Sequence, residues 1–172
     1  MIRECRFTLL MLVVALVLQA GPVRAVESPQ EVRPAKVEIA GRGFVLLLLR
    51  NGTTAFRARD YVWSDVPSAY QGLHYTQMAG GGTATIHLKA LEAGRVYIAV
   101  ATNQMLDLKE RGWTLPMPDR SNTFCYNDVN QTLMVVLSRE VTEGEELDIP
   151  QAGWAGTIVL LPAEPAGIKS AK

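Results

Sequence analysis

His74 and His87 are the proton-transfer groups of this chain, and neither lies in a motif that also supplies a nucleophile and an orienting acid. His87 shares the polar side of an alternating stretch with Lys89, so a solvated ring is expected there; His74 precedes Tyr75 after a loop. No pair of histidines or cysteines has zinc-ligand spacing. The segment 119–130 is richer in oxygen donors, with Asp119, Asn122, Asn127, Asp128 and Asn130, a set that suits a hard cation such as calcium. It lacks the residue order and the glycine of an EF-hand loop, and Asn and Asp also serve plain turns. The cofactor expectation is therefore none, with calcium the one candidate.

Aromatic side chains point more directly to binding. Trp63, Trp113 and Trp154 each occur beside turn or loop signals, and an indole exposed on a rigid scaffold suits the apolar C–H face of a pyranose. Trp113, after Arg111-Gly112, is the ring expected at the surface, with Arg111, Asp119 and Asn122 placed to fix sugar hydroxyls. Trp63 is the second candidate contact, although its alternation with Tyr61 also suits a core position. Trp154, flanked by Gly153 and Gly156, is expected to plug one end of the fold.

Period-two alternation dominates the elements that must hold these residues. In 83–91, Ala84, Ile86, Leu88 and Ala90 face one way and Thr83, Thr85, His87 and Lys89 the other, the pattern of a half-buried strand. Glu92-Ala93-Gly94 is expected to turn it into a hairpin with 95–101. The runs 44–49, 133–137 and 158–161 are apolar on both sides and read as strands covered on both faces. Asn51-Gly52 predicts a tight turn into 53–57, because both residues tolerate positive φ. A helix is expected over 103–111, stopped by Gly112, with a further helical turn near 68–71. Short strands, frequent Gly/Pro turns and one minor helix predict an all-β fold, an antiparallel, jelly-roll-like β-sandwich, with a barrel as the alternative.

At the N-terminus, Arg3 and Arg6 precede an apolar run from Phe7 to Leu18 broken by Thr8, and Val23-Arg24-Ala25 offers small residues for cleavage. This is the pattern of a secretory signal peptide over 1–25, too short to span a membrane. The expectation is a secreted or periplasmic protein, not a lipoprotein, since no cysteine follows the cleavage point. An extended leader over 26–35, one domain over 36–167 and a frayed tail over 168–172 complete the division. Cleavage takes three arginines and one glutamate, leaving 14 basic and 16 acidic side chains. No basic stripe remains to bind nucleic acid or an anionic membrane. Cys125 would then be the single cysteine, so no internal disulfide is possible, and its place between Phe124 and Tyr126 predicts a buried, inert thiol. Asn51-Gly52-Thr53 and Asn130-Gln131-Thr132 match the glycosylation acceptor pattern.

One likeness rests on a longer stretch. Phe56-Arg57-Ala58-Arg59-Asp60-Tyr61-Val62-Trp63, then Asp65-Val66-Pro67, Gly72-Leu73, a glycine-rich turn, Gly94-Arg95-Val96-Tyr97-Ile98-Ala99-Val100 and Gly112-Trp113 follow one another in order. Gly144-Glu145-Glu146-Leu147-Asp148-Ile149-Pro150 and Trp154-Ala155-Gly156 close the pattern. It resembles the galactose-binding-like β-sandwich accessory modules of secreted bacterial proteins, which often accompany carbohydrate-active enzymes. The resemblance spans most of 56–162 and implies a non-catalytic module, without fixing ligand residues. The expectation here is a module that stands nearly alone, with no catalytic domain beside it. The expected function is binding of a glycan or envelope polysaccharide. The rivals are a structural or protein-interaction module of the envelope, which would dock on an envelope protein, and a small hydrolase.

Overall fold

The computed structural model describes residues 32–172, apart from 83, 118–120, 152–153, 164–167 and 171–172. The expected signal peptide and Asp119 lie outside the described residues. Alternation is realised most clearly in β5 (Thr85–Ala90), where Ile86, Leu88 and Ala90 are buried while Thr85, His87 and Lys89 face water. A strand with one wet face needs a partner layer on the other. β5 obtains it in a four-stranded sheet, between β1 (Val37–Arg42) and β9 (Glu146–Asp148), with β11 (Ile168–Ser170) beyond β1. β11 runs parallel to β1, so residues 168–170, expected to fray, extend the sheet instead. At the other end of the expected domain, Val32 and Ala35 of the leader are buried, and Ala35 donates its N–H to the Arg95 carbonyl at 2.8 Å.

The second sheet has seven strands, in the order β2 (Phe44–Leu48), β4 (His74–Met78), β10 (Thr157–Leu161), β6 (Gly94–Ala101), β8 (Leu133–Val141), β7 (Thr123–Tyr126) and β3 (Trp63–Ser64). Its middle strands are apolar on both faces: Val96 to Ala101, Met134 to Leu137 and all of β10 are buried. Burying each large aliphatic side chain among them contributes about 1.5–3 kcal/mol. Residues from both sheets, Ile39, Ile86 and Leu88 from the smaller, Ile98, Leu137 and Val159 from the larger, join one core. The all-β, antiparallel, jelly-roll-like sandwich is thus the fold, with α1 (Met105–Glu110) as its one α-helix among the described residues. No helix among those residues is long and apolar enough to cross a membrane.

Two local expectations are corrected. β5 and β6 do not form a hairpin: β5 pairs with β1 and β9, β6 with β8 and β10, and residues 91–93 carry the chain from one sheet to the other. The buried stretch Val96 to Ala101 of β6 lies between β8 and β10 in the larger sheet, whereas β5 keeps its polar alternate residues on the wet face of the smaller one. The run 44–49 is not covered on both faces either, because β2 is an edge strand and Val45, Leu47 and Leu48 are exposed. The Asn51-Gly52 turn forms, with Gly52 at φ 81°, but the returning chain pairs with 61–63 and not with β2. α1 begins two residues later than expected and ends at Glu110, one residue earlier, with Gly112 at φ 83° in the turn that follows.

Candidate functional site

The approach of 53–57 to 61–63 builds an aromatic stack that climbs from core to surface. Trp63 and Phe56 are fully buried, their centroids 5.8 Å apart. Phe56 then meets Tyr126 edge-on at 5.0 Å and Trp154 at 5.2 Å. Half-buried Tyr61 stands 5.8 Å from Tyr126 and 5.9 Å from Trp154. Edge-to-face contacts of this kind each add about 0.5–1.5 kcal/mol beyond burial. The last ring in the series, Trp154, is 42 % exposed.

Three devices hold Trp154 there. The Gln151 amide closes its loop, donating to the Thr157 carbonyl at 3.1 Å and accepting from the Thr157 N–H at 3.0 Å. Gly81 donates its N–H to the Trp154 carbonyl at 3.2 Å. The Gly80-Gly81 turn lies directly on the indole: a Cβ at Gly80 would sit 3.1 Å from two ring carbons and 2.8 Å from Cγ of Arg59, and one at Gly81 would sit 2.9 Å from Nε1. That close approach lets the Arg59 stem cross Gly80 and place its guanidinium over Trp154, 5.6 Å from the ring centroid. Between Arg57 and Arg59 stands Ala58 at φ 58°, a left-handed conformation that costs a non-glycine residue about 1–2 kcal/mol.

Charge is distributed unevenly around this shelf. Arg57 donates to the Gly43 carbonyl at 3.0 Å, and among the described residues neither Arg57 nor Arg59 is paired with a carboxylate. Other cations are engaged: Arg95 meets Glu140 at 2.6 Å and Arg139 meets Glu145 at 2.9 Å. The Thr142 N–H, followed by Arg139, holds the Glu145 carboxyl below its ordinary value.

A second polar surface lies on the outer face of the four-stranded sheet. Cross-strand register sets Glu38, Lys89 and Glu146 in one row and Ala40, His87 and Asp148 in the next, around a depression of about 310 Å³. His87 Nδ1 is bonded to Asp148 Oδ1, and Lys89 stands 3.7 Å from Glu146. The lining of the depression thus holds an acid–base pair, His87 with Asp148, beside Lys89 with Glu146. His74 is half-buried with Nδ1 3.2 Å from the Pro162 carbonyl oxygen.

The expected contacts do not converge. Trp113 is 3 % exposed, because its N–H closes α1 on the Leu108 carbonyl and Thr114 then pairs with Ser138, which turns the ring inward. An exposed platform at Trp113 is thereby corrected. Trp63 is wholly enclosed, so it supports the shelf from beneath and offers no contact face. Arg111 is exposed beside the buried Trp113. Asn122 is buried, accepting from the Tyr70 hydroxyl and donating to the Met117 carbonyl. Asn127 accepts from the Val62 N–H, and Asp128 accepts from the Thr132 N–H and hydroxyl. These oxygens brace the chain, and no group of three His, Cys, Asp or Glu side chains that could hold a metal appears among the described residues. Cys125 is buried as expected, its Sγ 3.0 Å from Ser64 Oγ. Arg59, Tyr61 and the exposure of Trp154 were not foreseen as a site; the one signal was Gly80-Gly81-Gly82, whose missing side chains admit an indole.

No family model matches the chain, and no curated protein matches it. Among solved structures it is similar to a GH138 enzyme targeting pectin rhamnogalacturonan II, at 15% identity and a TM-score of 0.58. The alignment covers 80% of this chain and 17% of that one, so the chain spans about a sixth of that enzyme's length. At this identity the likeness is one of fold.

Proposed function

We propose that this chain is an exported, non-enzymatic β-sandwich that holds a glycan or envelope polysaccharide on the Trp154 shelf. The observation that carries the reading is an indole 42 % exposed, fixed by a buried aromatic stack and a glycine turn. Such a ring loses little freedom on binding and presents a flat apolar surface to a sugar. The polar groups that would orient hydroxyls, Arg59 and the Tyr61 phenol, stand beside it. The pectic target of the structurally similar enzyme supports the same reading. Affinity electrophoresis of residues 26–172 against a panel of polysaccharides tests it, with Trp154→Ala checked for retained fold. Retardation by a polymer that is lost in the folded variant is the expected result; no retardation by any polymer overturns the reading.

The exposed apolar edge strand β2 favours a second reading, a module that docks on a larger envelope protein. Val45, Leu47 and Leu48 lie on an unguarded edge, the kind of surface that pairs with another strand. Co-sedimentation with cell envelope that is lost in Leu47→Glu, with polysaccharide retardation untouched, would favour docking.

A further inference from the structure

We propose that the Trp154 shelf selects acidic glycans, with the Arg59 guanidinium, which lies over the indole, receiving the carboxylate of a uronic acid residue held against the exposed part of that ring. This rests on the glycan-binding reading above and names the class of sugar. Arg59 has a fixed place and no counter-charge: its stem crosses Gly80, its head lies over Trp154, and no described carboxylate meets it. Arg95, Arg139 and Lys89, by contrast, each have an acidic partner. A guanidinium presents paired N–H donors that match the two oxygens of a carboxylate, and stacking on an aromatic ring leaves that donor edge free. Arg57, two residues away across the left-handed Ala58, adds a second guanidinium without a carboxylate partner. General attraction of polyanions does not explain such selection, because the full chain carries equal numbers of basic and acidic residues.

The test compares polygalacturonate with the same polymer after its carboxyls are reduced to alcohols, and with a sulfated dextran, by affinity electrophoresis of the protein and of Arg59→Gln, Arg59→Lys and Trp154→Ala. Exposed charge pairs are modest, so the expected preference for the acidic polymer over its reduced form is about three- to tenfold. It should shrink as salt is raised past the point where the screening length falls below contact range. Arg59→Gln should remove the preference, so that the acidic polymer and its reduced form retard the variant equally. Arg59→Lys should restore part of it, since the charge returns without the planar fork. Equal retardation by acidic and reduced polymers overturns the inference and leaves the glycan reading standing. Equal retardation by sulfated dextran overturns the carboxylate assignment. Retardation by none of the three, with neutral polysaccharides of the wider panel also failing, removes both.

Discussion

The outer face of the four-stranded sheet and the Trp154 shelf are both open, polar-rimmed surfaces, yet they dispose of charge in opposite ways. On the sheet face, His87 is taken by Asp148 and Lys89 by Glu146, so the ionic groups answer one another across strands. On the shelf, the Arg59 guanidinium lies over the Trp154 ring, and no ion pair with a described carboxylate engages it. A surface whose charges are paired internally has little left for a ligand; one with an ordered, uncompensated cation over an apolar ring has both a footing and a demand. The sheet face holds a depression of about 310 Å³, and its ionic groups are already engaged with one another.

The largest expected effect comes from beneath the shelf. Phe56 touches Trp63, Tyr126 and Trp154, so Phe56→Ala should lower stability by about 3–5 kcal/mol in urea unfolding. His87→Ala on the sheet face should stay within about 1 kcal/mol of the parent. Similar losses in the two variants would erase the distinction between a stacked base and a solvated face.

Alkali should loosen the larger sheet first. Burial raises the Tyr75 phenol from 10.0 to about 12, and its hydroxyl donates to the Thr54 carbonyl that begins the return toward Phe56. The folded value lies above the unfolded one, so the stabilisation is complete below pH 10 and is lost as pH rises toward 12. No described strand of the four-stranded sheet contains a tyrosine. Stability measured against pH should therefore fall over that window in the parent and fall less steeply in Tyr75→Phe, where the Tyr70, Tyr97 and Tyr126 phenols, also raised by burial, still contribute; a variant with an unchanged slope would assign the loss elsewhere.

In ligand binding the contrast sharpens. Trp154→Ala should weaken retardation by a bound polysaccharide about tenfold, whereas Asp148→Asn and Glu146→Gln should change it less than about twofold. A larger loss from the sheet-face pair would move the site to the 310 Å³ depression. The smallest effect is expected from the His87–Asp148 coupling itself. A double-mutant cycle on stability should return about 0–1 kcal/mol, since both side chains are more than half exposed. A coupling of several kcal/mol would mark the pair as more than a surface contact.

Legibility in the sequence followed the range of the forces involved. β5 could be read residue by residue, because alternation is local and its consequence, one wet face, is local too. The partner of β6 could not: an apolar strand states that both faces are covered without stating by what, and the turn at 92–94 looks the same whether the chain stays in one sheet or crosses to another. β2 shows the converse, an apolar run whose place at an edge is decided by the strands available beside it. The three tryptophans share similar local surroundings, and their burial diverges through distant groups, Ser138 for Trp113 and Gly80-Gly81 for Trp154. Arg59 was equally hidden, for the lack of a partner is a property of the whole surface.

The ordering of the tryptophans gives the protein a built-in optical reporter. With Trp63 and Trp113 sealed from water and Trp154 the one indole in contact with it, a small neutral quencher reaches a single emitter, and the quenchable light comes from the shelf. That light should be the red-shifted part of the emission spectrum, and a sugar lying on the ring should shield it from collision.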